Sequence, residues 1–273
     1  MKVVALVNGS VTSEVAALYA LRYARAQAFT PCLAHVLNPA DRRAEVEKSM
    51  GVIEEAATEG GIKIERFFLE GHPARAIAAF LAATKTDTLF CGTRMRGHFF
   101  EDSLSEKLNR LSLPTDLAVV RVVHVGDVAA ADHILLPIRT DRLSVEKFVF
   151  LASLARAYEA AAEIYSITVV DKRRLADLES TRTRDLFAKI NTRLAHYVKL
   201  SRHLALPLRI RHAIALNEVD QLLHHLARHD FQLMVIGGQR LSRFPRLLGE
   251  QPIERLFRHT PVNTIALYPR DQR

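Results

Sequence analysis

The sequence predicts an α/β protein built from two tandem doubly wound units, each a five-strand parallel sheet. Two observations carry that prediction. Short apolar runs alternate with apolar-periodic stretches of helical length, and the whole order of elements occurs twice along the 273 residues. The length fits two units, because single domains typically hold about 100–200 residues.

Residues 2–37 (KVVALVNGSVTSEVAALYALRYARAQAFTPCLAHVL) open as an apolar β-rich run and turn through a helix-starting Ser/Thr cluster. They continue as an apolar-periodic helix and end in a second apolar run. A helix at 40–60, a strand at 62–71 (IKIERFFLEG), a helix at 73–84 and a strand ending at Gly92 (DTLFCG) follow. SEKLNRLSLPTDLAVVRVV supplies the last helix and strand. Residues 133–170 repeat the opening plan, and LRIRHAIAL at 208–216, a helix at 218–228, FQLMVIGG and IERLFRHTPVNTIALYP complete the second unit. The offset between matching positions grows from 131 (Lys2 to His133) to 145 (Gly92 to Gly237), so about fourteen extra residues lie within the second unit. They fall in 171–206, which reads as a helix much longer than its counterpart at 40–60. HVGDVAAAD at 124–132 reads as the linker, dividing the chain into units 1–126 and 127–273.

This alternation implies right-handed crossovers, with helices on both faces of each sheet. Such sheets bind ligands outside the carboxyl ends of the strands, where the winding reverses. The residues that matter are therefore those just after each strand: Asn8 to Ser10, Gly71 to Pro73, and Gly92 onward, with their second-half equivalents.

The arrangement resembles the universal stress protein family, in its tandem two-domain form, over essentially the whole chain. The resemblance rests on VNGS at 7–10, LEGHPARAI at 69–77, LFCGT at 89–93 and SLSEKL at 103–108 in the first unit. In the second it rests on HILLPI at 133–138, LMVIGG at 233–238 and LLGEQPIERLFRHTPV at 247–262. It implies adenine-nucleotide alpha hydrolase-like sheets of order 3-2-1-4-5. It also implies pairing of the fifth strands, here 117–123 and 264–269, as an internal pseudo-dimer that covers both sheet edges. Whole chains pairing again as a homodimer is a further expectation. ATP-binding members of the family use an opening Asp and the apolar end of the second strand for adenine and ribose. They use a Gly-x-x-Gly-x9-Gly-Ser/Thr loop for the phosphates. Carried onto this chain, the candidate nucleotide- or ligand-binding residues are Asn8, Gly9, Ser10, Val36, Gly71, Gly92, Arg94, Arg96, Gly97 and Ser103.

The departures from the family pattern bear on function. Asn8 replaces the Asp, Met95 takes the second-glycine position, and Asp102 stands before Ser103 where the family has Gly. An anionic Asp102 would repel a triphosphate, and lost glycines keep backbone N–H groups from approaching phosphate oxygens. The side chain of Asn8 can still hydrogen-bond a ribose or a base edge. In the second unit Arg139 replaces the Asp, Thr140 and Asp141 replace Gly-Ser, Arg240 replaces the second glycine, and Gly249-Glu250 stands where Gly-Ser belongs. Arg139, Arg240, Arg243 and Arg246 are candidates for an anion site, since guanidinium forks hold phosphate or carboxylate bidentately. The alternative is a solvated basic loop.

The rest of the sequence offers less chemistry. His225 and His229 have i,i+4 spacing, but Leu226 follows His225 where a metalloprotease carries its Glu, so both read as exposed helix histidines and no metal is expected. Cys32 and Cys91 lie in apolar runs, as buried free thiols do. No nucleophile elbow or Walker A sequence is present, so at most a slow ATPase is expected. No uncharged apolar run approaches the ~18–20 residues of a bilayer span, which makes the expected location cytoplasmic. Residues 1–126 carry 15 Lys+Arg against 14 Asp+Glu, whereas 127–273 carry 23 against 16, so the excess charge belongs to the second unit. Its stretch at 172–206, basic with leucines at helical spacing, reads either as an ordinary helix covering the sheet with a solvated basic face or as an amphipathic helix for an acidic protein partner, a membrane surface or nucleic acid, while no motif for specific nucleic-acid binding is recognisable.

The expected function is a cytoplasmic, non-catalytic stress-response or regulatory protein. Its first unit would keep a degenerate nucleotide or small-ligand site with ATP as the candidate cofactor, and its second would be structural or anion-binding. An ATP-binding switch using the first site, and a binder of an apolar or lipid-like ligand, are the alternatives.

Overall fold

The first half runs β1 (Lys2–Leu6), α1 (Val11–Ala26), β2 (Thr30–Val36), α2 (Arg43–Glu59), β3 (Glu65–Leu69), α3 (Pro73–Ala83), β4 (Thr86–Thr93), α4 (Leu104–Asn109) and β5 (Asp116–Arg121). A short 3-10 turn, Gly126–Val128, lies in the connection to the second half. That half runs β6 (His133–Ile138), α5 (Val145–Tyr158), β7 (Ala161–Val169), α6 (Ser180–His203), β8 (Leu208–Ala215), α7 (Glu218–Arg228), β9 (Leu233–Gly237), α8 (Pro252–His259) and β10 (Asn263–Tyr268). The computed structural model describes residues 1–38, 43–93, 103–138, 144–171, 180–238 and 252–270.

All ten strands join one sheet in the order β3-β2-β1-β4-β5-β10-β9-β6-β7-β8, so each half has the order 3-2-1-4-5. Pairing within each half is parallel. The halves meet at β5 and β10, which pair antiparallel from Thr264 opposite Arg121 to Tyr268 opposite Leu117. The expected pairing of the fifth strands is therefore present within one chain, and it buries two edges that would otherwise be open to association. The outer edges, β3 and β8, alternate half-buried with exposed residues and carry Arg66, Arg209 and Arg211, charges that discourage further strand addition.

Local sequence explains the elements. β1 (KVVAL) and β10 (NTIALY) are buried on both faces, as the central strands of a covered parallel sheet must be. Ser10 caps α1 by accepting from the Ser13 N–H, Asn217 caps α7 by accepting from Val219 and Asp220, and Pro73 occupies the first turn of α3. The long helix expected in the second half is α6, with 24 residues against 17 in α2. It buries Ile190 and Tyr197 and leaves Arg184, Lys189, Lys199 and Arg202 exposed. Three helices end in left-handed residues other than glycine: Ala28 (φ 53°), Glu159 (φ 55°) and Ala205 (φ 48°). After α6 the Leu206 N–H bonds the Ser201 carbonyl and the Ala205 N–H bonds that of Arg202, the pattern of a Schellman cap. Ala205→Gly is expected to stabilise the protein by about 0.5–1 kcal/mol, because glycine reaches this conformation without the Cβ penalty. A thermal melt that does not rise would contradict this account of the cap.

α1, α2, α5 and α6 cover one face of the sheet, and α3, α4, α7 and α8 the other. On the first face the two halves share one core. Tyr23 packs on Phe150 with ring centroids 4.8 Å apart, Phe90 stacks on Phe150 at 6.0 Å, and Tyr19 meets Tyr158 at 6.2 Å. Arg270, beyond β10, reaches back to Asp116 (Nε, 3.0 Å) and Asp87 (Nη2, 3.0 Å), tying the C-terminal segment to the first half.

Candidate ligand-binding site

The winding of the first half reverses between β1 and β4, and the described residues line a cleft of about 200 Å³ at the carboxyl ends of those strands and of β2. Its apolar wall comes from Leu6, Ala34, Val36, Ile77, Cys91 and Leu104. Its polar groups come from Asn8, Ser10, Thr12, Ser13, His35, Asn38 and Ser105.

The turn after β1 is built locally. Gly9 has φ +79°, and a Cβ there would come within 3.2 Å of the Glu45 and Val46 backbone at the start of α2. Asn8 Oδ1 accepts from the Ser10 N–H (3.1 Å) and the Ser10 hydroxyl (2.6 Å), while the Asn8 N–H donates to Ser13 Oγ (3.2 Å). The side-chain oxygen of Asn8 thus holds the turn, and its amide nitrogen has no partner among the described residues. His35 is buried, and its Nδ1 donates to the Val7 carbonyl at 2.8 Å, which fixes the tautomer.

Gly92, the penultimate residue of β4, has a packing role that its place in the sequence did not reveal. A Cβ at this position would stand 2.5 Å from the Thr12 carbonyl oxygen, so the strand end and the first turn of α1 approach closely only because residue 92 is glycine. Beside it Cys91 is fully buried, and burial pushes its thiol up to about 12; burial likewise pushes Cys32 up to about 11. Neither thiol is a nucleophile near neutral pH.

Of the residues singled out from sequence, the structure brings Asn8, Ser10, Val36 and Gly92 together in this cleft, with Gly9 shaping its turn. Gly71 forms the turn before α3 with φ +104° and is not part of the lining. Ser103 caps α4 by accepting from the Glu106 N–H at 3.2 Å, and Ser105 faces the cleft in its stead. Arg94, Arg96, Gly97, Met95 and Asp102 lie outside the described residues, as do Arg139, Arg240, Arg243 and Arg246. Thr12, Ile77 and Ser105 were missed, whereas Pro73, singled out as a residue just after a strand, lines the cleft.

The second half differs at the matching place. Gly237 ends β9 at the place matching Gly92 near the end of β4, but its Cα is covered by the Lys147 side chain from the first turn of α5, where a Cβ would overlap the Lys147 stem. That ammonium is half-buried, burial lowers its pKa, and it has no hydrogen-bond or ion-pair partner among the described residues.

The histidines of α7 correct the expectation that both are exposed. His225 is 5% exposed and its Nε2 lies 2.7 Å from Glu163 Oε1. Its ring lies flat on Tyr165 at 3.8 Å. Among the described residues no group of three His, Cys, Asp or Glu side chains is placed to hold a metal ion, and no helix is long and apolar enough to cross a membrane.

No protein-family model and no curated protein matches the sequence. Solved structures match its fold over nearly its whole length. A universal stress protein from Archaeoglobus fulgidus superposes with a TM-score of 0.63 at 15% identity, covering 99% of this chain and 98% of that one. The chain has the universal stress protein fold. A Pseudomonas aeruginosa protein assigned to the universal stress proteins matches the same fold with a TM-score of 0.59 at 13% identity, over 99% of this chain and 94% of that one. The chain is also similar to the cytoplasmic domain of a prokaryotic cation chloride cotransporter, with a TM-score of 0.59 at 11% identity over 97% of this chain and 94% of that one. Function must therefore be argued from the site, because one fold serves several roles.

Proposed function

We propose that the chain is a non-catalytic stress-response or regulatory protein of the cytoplasm. On this reading, its first half binds a small ligand, the nucleoside part of an adenine nucleotide, in the cleft at the carboxyl ends of β1, β2 and β4. The observation that carries this reading is the lining of that cleft: an apolar wall suited to a base, beside hydroxyl and amide groups at Asn8, Ser10 and Thr12 that suit a ribose. At about 200 Å³ the cleft lies below the usual 300–1,000 Å³ of drug-sized sites, which favours a nucleoside over a complete triphosphate within the described residues. Use of the Ser103 hydroxyl as a helix cap points the same way.

The second half serves as a structural partner with an anion-directed surface. Its counterpart position is filled by Lys147, and the exposed cations of α6 suit an acidic protein partner. Calorimetric titration of ATP with Mg²⁺, and of adenosine, into the full chain tests the first site. Binding of both is expected, with both lost in Val36→Trp, whose indole would fill the cleft, while the melting temperature holds. No heat at millimolar nucleoside and nucleotide would overturn the reading. Magnesium-dependent ATP binding without adenosine binding would favour the ATP switch instead.

A further inference from the structure

A second cavity, of about 270 Å³, opens at the opposite end of the sheet, where β6, β7 and β8 begin and α7 ends. Arg209 and Arg211 reach it from β8, Glu163 from β7, and Arg228 and His229 from the end of α7. Two residues apart on an edge strand, Arg209 and Arg211 share one face with their Cα atoms roughly 7 Å apart.

Arg211 is held in place before any ligand arrives. Its Nε lies 3.2 Å from the Glu163 carboxylate, and its Nη1 donates to His229 Nε2 at 2.8 Å. His229 donates through Nδ1 to the His225 carbonyl at 3.0 Å, which leaves Nε2 as the acceptor that Arg211 needs. Arg209 and Arg228 are exposed and have no hydrogen-bond or ion-pair partner among the described residues. Glu163 is paired with His225 and Arg211, while the Asp230 carboxylate, exposed at the rim, accepts among the described residues only from the neutral Gln232 side-chain amide at 3.1 Å and keeps its charge. Arg209 and Arg228 thus line the cavity as two unpaired cations against the one carboxylate there, Asp230, that has no cationic partner among the described residues, beside a third guanidinium that is pre-oriented.

We propose that this cavity binds a small oxyanion of the phosphate class, gripped by Arg209 and Arg228 with Arg211 as a fixed third donor. Planar guanidinium forks match the paired oxygens of a phosphate, and a group already held by Glu163 and His229 loses little freedom on binding. A cavity of this size admits a phosphorylated small molecule and not a folded partner. The site uses no residue of the β1–β4 cleft, so it stands or falls independently of the function proposed for that cleft.

The test is calorimetric titration of inorganic phosphate and of pyrophosphate into the full chain at constant ionic strength in potassium chloride. Saturable binding is expected, weakened on the order of tenfold for each arginine removed in Arg209→Ala and Arg228→Ala, and further in the pair. Both side chains are exposed, so melting temperatures should match wild type; if the paired variant melts early, the single variants carry the test. No binding at about 10 mM anion, or equal affinity in wild type and both single variants, would overturn the proposal.

Discussion

Asn263→Ala is expected to destabilise the protein by about 2–4 kcal/mol, because one fully buried side chain supplies four hydrogen bonds between the two halves. Its Oδ1 accepts from the Val123 N–H (2.7 Å) and the His124 N–H (3.0 Å), and its Nδ2 donates to the His124 carbonyl (2.7 Å) and the Tyr19 hydroxyl (2.9 Å). That uses the full capacity of an amide. Asn263 opens β10, Tyr19 lies on α1, and Val123 and His124 lead out of β5, so the residue joins strand, helix and connection at the seam of the sheet. Alanine leaves the Tyr19 phenol, which is fully buried, without the Asn263 donor; the His124 groups, nearer solvent, recover part of their loss from water. Tyr19→Phe removes one partner alone and is expected to cost about 1 kcal/mol. In a double-mutant cycle the two changes should couple by about 1 kcal/mol. Denaturant unfolding of the four proteins measures this, and strict additivity would show that the seam does not depend on the Asn263–Tyr19 bond.

His225→Ala is expected to cost about 3–5 kcal/mol, because it breaks a buried pair and opens a cavity. The Glu163 carboxylate is 6% exposed and would keep only the Arg211 guanidinium as a partner, while Tyr165 would lose the ring stacked on it. His225→Gln returns an N–H donor and should lose less. The same histidine makes stability depend on pH. Burial holds His225 below its ordinary range, against the opposing pull of Glu163 and with a smaller push from His229 and Arg211. Burial also lowers His212, beside Arg193. Below the ordinary value of ~6.5 the unfolded chain takes up protons that the folded chain refuses, so this stability is complete above ~6.5 and declines as pH falls. The denaturant midpoint should therefore be lower at pH 5.5 than at pH 7.5, with a smaller difference in His225→Ala. A midpoint that rises on acidification would contradict these assignments.

Much of the fold was legible because it is written in short-range pattern. Apolar runs, helix periods and their repetition are local, and they led to two 3-2-1-4-5 units joined through β5 and β10. Features set by approach between distant segments were not. Nothing near Gly92 in sequence shows that the Thr12 carbonyl will lie against it, and nothing near Asn263 shows four partners, three of them about 140 residues away and Tyr19 farther still. His225 was legible in principle. It follows Leu222 by three residues and precedes Leu226, so the helical period places it on the buried stripe with Val219, Leu222 and Leu226. Its polarity suggested a surface site, but the buried carboxylate of Glu163 reverses that inference, since a paired imidazole is stable in a core. Lys147 was hidden for a related reason. A lysine in a first helical turn looks solvated, yet its apolar stem packs over Gly237.

The central claim is that the cleft at the ends of β1, β2 and β4 is the nucleoside site and that its second-half counterpart, covered by Lys147, is not. Amide ¹H–¹⁵N spectra of the full chain titrated with adenosine test it most directly. Saturable shifts are predicted at residues 7–13, 34–38 and 91–93, with none at residues 136–138, 145–148 or 235–238. Shifts confined to the second set, or no shifts at millimolar adenosine, would contradict it.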